Sequence, residues 1–190
     1  KKIPAAKIQV DREQGFVKAE VKAEAKIEVK PNKKGQRQQV NNGKPLFQSP
    51  VMNATNQRLQ AVDVPLKGAK ELYLVVSSEG DISCDWSNWI EPMLVMADGS
   101  KKNLTDLKWR SANAGFGTVQ VGKNSGNSAL TVDKKTYENG IGTHAASVIV
   151  YDLPQGVVGF TAQAAIDDGG MERGGKASTA SVKFQVYTET

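Results

Sequence analysis

One cysteine and one histidine are all that this 190-residue chain carries of the side chains from which many metal and catalytic centres are assembled. Cys84 has no partner for an internal disulfide, so the fold must rest on packing, with at most a bound metal to help. A lone cysteine is expected to behave as a small buried hydrophobe. Structural zinc takes four nitrogen or sulfur ligands, and His144 with Cys84 cannot supply them. No glycine-x-serine-x-glycine elbow occurs, and no hydrolytic triad can be drawn around the single histidine. No pair of carboxylates with glycosidase spacing stands out either. There is no run of about 18 apolar residues, so no membrane-spanning helix is expected. The chain opens Lys1-Lys2-Ile3-Pro4, without methionine or secretory leader, and is expected to be a piece of something longer.

What is present describes an ordinary globular chain. Hydrophobic residues at 39% and charged residues at 24% suit one well-buried core with a small additional element. The net charge of +5 would suit a polyanionic partner, but its distribution argues otherwise. Lysine and arginine outnumber aspartate and glutamate within residues 1–45, and the remainder is slightly acidic. No nucleic-acid partner is therefore expected.

Residues 1–45 are read as an extended N-terminal or linker segment, and 46–190 as the compact domain. From Val17 to Lys30 apolar and charged residues alternate strictly, with Val17, Val21, Ile27 and Val29 on one parity and Lys18, Glu20, Lys26 and Glu28 on the other. Period two puts all apolar side chains on one face of a strand, whereas a helix would scatter them around its surface. Within 46–190, β-branched and aromatic runs at 59–64, 70–77, 91–97, 118–121, 129–132, 147–152, 157–166 and 180–188 predict strands. Turn residues separate them, among them Asp98-Gly99, a hairpin pair. The stretches 80–92 and 137–144 are predicted to be loops, the second because Gly140 and Gly142 mark either a positive φ or a close backbone approach. No helical period is evident, and the expected fold is an all-β antiparallel sandwich.

Several motifs carry a family resemblance. Gly140-Ile141-Gly142-Thr143-His144-Ala145, with Ser147 and Tyr151-Asp152-Leu153-Pro154, resembles the signature of the NPCBM family, carbohydrate-binding module family 51. Upstream, Asp106-Leu107-Lys108-Trp109 and Gly115-Phe116-Gly117 resemble further family elements. Downstream, Ile166-Asp167-Asp168-Gly169-Gly170 and the 181–187 strand do the same. The matches fall in the expected order between about Leu72 and Tyr187. The resemblance implies a jelly-roll-like sandwich and a secreted, cell-surface or periplasmic setting. It also implies a non-catalytic module that targets an attached glycoside hydrolase to galactose-containing glycans, and a structural calcium ion.

A sugar site needs an aromatic face and a few hydrogen-bonding groups. The two predicted loops concentrate that chemistry, giving Trp86, Glu91, Tyr137, Asn139 and His144 as the expected carbohydrate contacts. Calcium needs only oxygen ligands, and Asp81, Asp85, Asp167 and Asp168, in glycine-containing loops, are the candidate metal ligands. The competing reading is an adhesion or scaffold sandwich with a protein partner, in which the alternating N-terminal strand completes a sheet edge.

Overall fold

The computed structural model describes residues 43–173 and 176–190 together with 9–10 and 17–18; of 9–10, 17–18, 172–173 and 176–177 it describes the backbone alone. The alternating tract beyond Val17–Lys18 lies outside the described residues. The strands are β1 (Gln9–Val10), β2 (Val17–Lys18), β3 (Phe47–Gln48), β4 (Met52–Asn53), β5 (Leu59–Pro65) and β6 (Glu71–Ser78). Next come β7 (Trp86–Met96), β8 (Lys101–Asn103), β9 (Ser111–Asn113), β10 (Gln120–Val121), β11 (Leu130–Val132) and β12 (Lys135–Tyr137). The chain continues through β13 (Gly140–His144), β14 (Ser147–Asp152), β15 (Val157–Ile166), β16 (Glu172–Arg173), β17 (Lys176–Ala177) and β18 (Ser181–Glu189). Only short 3₁₀ turns interrupt this pattern among the described residues, so the all-β reading holds.

Two antiparallel sheets face each other. The first runs β10-β13-β7-β15-β5, with β8 also on β7; the second runs β3-β18-β6-β14-β9, with β4 also on β18. Alternation along the strands turns one parity of each sheet inward. Leu72, Leu74 and Val76 of β6 meet Ile149, Val182, Phe184 and Val186 from their own sheet and Trp89, Leu94, Ile141, Phe160 and Ile166 from the other. Trp89 is the largest side chain in this core, edge-on to Phe184 at 5.1 Å and tilted against Phe160 at 6.4 Å. The Asp98-Gly99 turn joins β7 to β8 with Gly99 at φ 83°, the left-handed conformation that only glycine takes without strain.

The outward faces are partly covered as well. On the first sheet Ile90 and Ala165 lie under Leu130 and Val132 of the β11–β12 hairpin. On the second, Tyr73, Val75, Val150 and Tyr187 form a separate buried cluster. At one end of that cluster Glu71 and Glu189 lie directly opposite each other in register, exposed to only 4% and 1%. The Arg110 guanidinium bridges Glu71 and Asp152, and the Tyr73 hydroxyl donates to Glu71 at 2.5 Å.

Burial raises the Glu71 carboxyl, but the bonds from Arg110 and Tyr73 outweigh it and hold the group down at about 2. Burial, reinforced by the Glu71 carboxylate, pushes Glu189 up to about 7. Two carboxyls this close share one negative charge, as like charges in a buried site do. Glu189 thus binds its proton more tightly in the folded chain than in the unfolded one. Its stabilising contribution is full below the unfolded carboxylate range, about pH 4.5, and is lost as pH rises through about 7. Glu71 acts in the opposite sense, contributing above pH 4.5 and losing that contribution as pH falls toward 2. The melting temperature is therefore expected to fall between pH 5 and pH 8, and Glu189→Gln, which imitates the protonated form, should flatten that slope. Asp85, pushed up to about 6 chiefly by burial, should leave a residual slope of the same sign. Equal slopes in wild type and Glu189→Gln would contradict this account.

Candidate functional site

The two stretches expected to be loops are, over most of their length, adjacent strands. β13 pairs with the first half of β7 so that His144 lies opposite Trp86 and Gly140 opposite Ile90. Long-range pairing has here overridden the local glycine signal. Neither Gly140 nor Gly142 has a positive φ; both serve close approach instead. A Cβ on Gly142 would lie 2.1 Å from the Lys123 carbonyl oxygen, and one on Gly140 would lie 2.8 Å from Leu130 Cδ1 and 2.9 Å from the Trp89 oxygen.

This ladder separates the expected contact residues into two groups. Trp86 and His144 mark one end. Glu91, Tyr137 and Asn139 lie toward the other, and the five residue steps of extended chain from Trp86 to Glu91 span about 16 Å, farther than one sugar ring reaches. Glu91 itself, at φ 49°, sits at a bulge where the β7–β15 register shifts and β7 exchanges β13 for β8 as its neighbour. Asn139 donates to Asn103 at 2.8 Å and accepts from Thr105 at 2.8 Å, with Glu91 at 3.5 Å. Tyr137 is half-buried, with the Lys135 ammonium 4.7 Å from its ring centre. These groups are largely occupied in joining β7, β8, β12 and β13.

The other end has an exposed aromatic. Gly115 donates its N–H to the His144 oxygen at 3.0 Å, and a Cβ there would come within 2.2 Å of the Ala145 oxygen, so the 115–117 loop lies tightly on the turn after β13. That contact sets Phe116 edge-on against His144, with ring centres 5.7 Å apart. Phe116 is 59% exposed, while His144 beneath it is 3% exposed. His144 Nδ1 is 2.8 Å from the Ala145 carbonyl oxygen; a carbonyl can only accept, so Nδ1 carries a proton and donates.

Beside this loop runs the 124–126 turn, 3.0 Å from a Cβ placed on Gly117. Asn124 builds the turn by accepting from the N–H groups of Gly126 and Ser128, at 3.1 and 2.9 Å, and donating to the Ala129 oxygen at 3.1 Å. Gly126 and Gly169 both press on the Trp86 indole, where an added Cβ would fall 2.2 and 2.5 Å from ring carbons. At 9% exposure Trp86 is the floor of this end of the sandwich, and the exposed aromatic face is that of Phe116. The sequence carried a signal for it, an aromatic flanked by two glycines and hence at a loop tip.

The four candidate metal ligands fall in two groups, and neither forms an oxygen cage. Asp167 is fully buried and accepts four bonds, from Asn88 at 2.6 Å, Asn124 at 3.0 Å, Thr131 N–H at 3.0 Å and Gly169 N–H at 2.8 Å. Asp168 accepts from the N–H groups of Asp133 and Lys134 at 2.9 and 2.8 Å and pairs with Arg58. A cation would have to displace those donors. Asp81 is exposed and accepts from Ser83 N–H at 2.7 Å, while buried Asp85 accepts from Ser181 N–H at 2.9 Å. Among the described residues no three acidic, histidine or cysteine side chains gather as a metal site. The residues named for calcium therefore do not fit that ion as a ligand set.

An antiparallel sandwich with glycine-shaped loops, and one aromatic exposed over a buried histidine at its end, defines the class of small β-sandwich binding modules. The NPCBM/NEW2 domain model matches residues 5–95 and 100–190, so this chain belongs to the NPCBM/NEW2 family of carbohydrate-binding modules. Comparison with curated proteins and with solved structures returns no match. Members of the family are typically extracellular, and among the described residues no helix is long and apolar enough to cross a membrane.

Proposed function

We propose that this chain is a non-catalytic module that binds galactose-containing glycans at the Phe116–His144 end of the sandwich and so keeps an attached glycoside hydrolase near its substrate. The observation that supports this reading is Phe116, a large aromatic 59% exposed in a loop held against buried His144. An aromatic ring stacks on the C–H face of a sugar, and His144 beneath it holds the Phe116 ring in place. Tethering then raises the effective concentration of the catalytic partner without any new contact. So shallow a site buries few atoms, and a dissociation constant on the order of 0.1 to 1 mM is expected for a mono- or disaccharide.

Calorimetric titration with galactosides tests the proposal. Phe116→Ala is expected to weaken binding by about tenfold, the loss of roughly 1.4 kcal/mol of stacking, with an unchanged melting temperature because the ring is exposed. Glu91→Ala, at the far end of the ladder, should bind as wild type does. Undiminished affinity in Phe116→Ala would refute the site, and the absence of any glycan ligand, with capture of a protein partner instead, would favour the scaffold reading.

A further inference from the structure

Two asparagines of the chain stand two residues before a threonine with no proline between, in Asn53-Ala54-Thr55 and Asn103-Leu104-Thr105. Asn-x-Thr is the acceptor pattern for N-linked glycosylation, in which the transferring enzyme reads the amide together with the hydroxyl two residues on. The fold treats the two copies in opposite ways.

Asn53 ends β4, and the turn that follows closes on its side chain. Asn53 Oδ1 accepts from the Thr55 N–H at 2.9 Å, the Thr55 hydroxyl at 2.8 Å and the Asn56 N–H at 2.9 Å. Asn56 in turn accepts from the Asn53 N–H at 2.9 Å and donates through Nδ2 to the Val51 oxygen at 3.0 Å. All these bonds lie within 51–56, so the turn holds its own shape. A planar amide points its two ends apart. The oxygen is taken three times, and among the described residues nothing accepts from Asn53 Nδ2. Thr55 and Asn56 are exposed, and Asn53 and Ala54 are partly so. The amide and the hydroxyl thus touch each other on an accessible turn.

In the second copy the same two groups are parted. Asn103 Oδ1 accepts from Asn139 at 2.8 Å, and the Thr105 hydroxyl donates to Asn139 Oδ1, also at 2.8 Å. Each is engaged by a third residue instead of by the other. Leu104 between them is 0% exposed and part of the core, which pins this segment to the sandwich.

We propose that Asn53 is an N-glycan acceptor site and that Asn103, despite the same pattern, is not. The donor is an oligosaccharide linked through pyrophosphate to a lipid. A bond forms from Asn53 Nδ2 to the anomeric carbon of the first sugar, and the bond from that carbon to the pyrophosphate oxygen breaks. The lipid pyrophosphate leaves with the electron pair, and the displaced amide proton passes to a base of the transferase. Only Nδ2 is altered, so the three bonds to Oδ1 survive and the turn keeps its shape. Family members are typically extracellular, and exported chains are the ones that meet such enzymes. The attached glycan is a bulky, solubilising surface group.

Incubation of the folded full chain with a purified oligosaccharyltransferase and its lipid-linked donor tests this, using an enzyme that modifies free peptides spanning 49–59 and 99–109 alike. Intact-mass and glycopeptide analysis should show a single added glycan, at Asn53, and none at Asn103. Thr55→Val should abolish the mass shift, Thr55→Ser should retain it, and Thr105→Val should leave it unchanged. An unmodified Asn53 in the folded chain, equal occupancy of Asn103, or a shift that survives Thr55→Val would overturn the proposal.

Discussion

Replacing Asp167 with alanine is expected to cost at least about 4 kcal/mol, enough to consume much of the stability of a typical domain. The carboxylate is fully buried and is the common acceptor for Asn88 on β7, Asn124 in the 122–129 turn, Thr131 on β11 and Gly169 in the turn after β15. Truncation takes the acceptor from the buried amides of Asn88 and Asn124 and from the part-buried N–H groups of Thr131 and Gly169, and each buried donor so stranded costs about 1–3 kcal/mol. In a domain of this size the melting temperature should drop by roughly 10 °C or more. Asp167→Asn should fall between the two, because one amide oxygen survives while the amide nitrogen is turned toward other donors. Circular dichroism melts of the three proteins give the measurement, and a loss below about 1 kcal/mol for alanine would show that the four bonds do not hold these elements together.

That hub marks the boundary of what could be read from the sequence. Adjacent aspartates in a glycine-containing turn suggest oxygen ligands, and nothing local reveals that three of the four donors come from segments 36 to 79 residues away. The strands whose signal is local were legible. 147–152 and 157–166, rich in β-branched and apolar residues, form β14 and β15 within those limits, and the Asp-Gly turn forms the hairpin its chemistry predicts. Trp86 to Ile90 and Gly140 to His144 were misread because their strand character comes from each other: serine, asparagine and glycine have weak strand propensity, and pairing across the sheet supplies what propensity lacks. The site followed the same division. His144 was legible as a lone imidazole beside glycines, but Trp86 and Phe116 exchange roles, one buried beneath two glycines and the other exposed at a loop tip, and only tertiary packing decides between two aromatics.

Gly142→Ala should prove nearly as damaging as loss of the aspartate, and for a reason that joins fold to site. The new methyl would sit 2.1 Å from the Lys123 oxygen and 2.5 Å from Asn124 Cα, and both are backbone atoms that cannot rotate away. β13 cannot retreat either, since it is held between β10 and β7. The 123–126 turn must move instead. A cost of about 3 kcal/mol is expected, the upper range for overpacking, whereas Gly80→Ala, with nothing within 4 Å of the added carbon and no positive φ, should be neutral or slightly stabilising. Denaturant titration of both variants separates the clash from the generic effect of replacing glycine, and near-equal midpoints would refute it. The displaced turn carries Gly126, which presses on Trp86, and Ser125, whose carbonyl abuts Gly117. Phe116 should therefore shift with it. Gly142→Ala is expected to weaken galactoside binding even where the variant is still folded, while Phe116→Ala weakens binding alone, so the two variants together distinguish the ring that meets the sugar from the backbone packing that positions it.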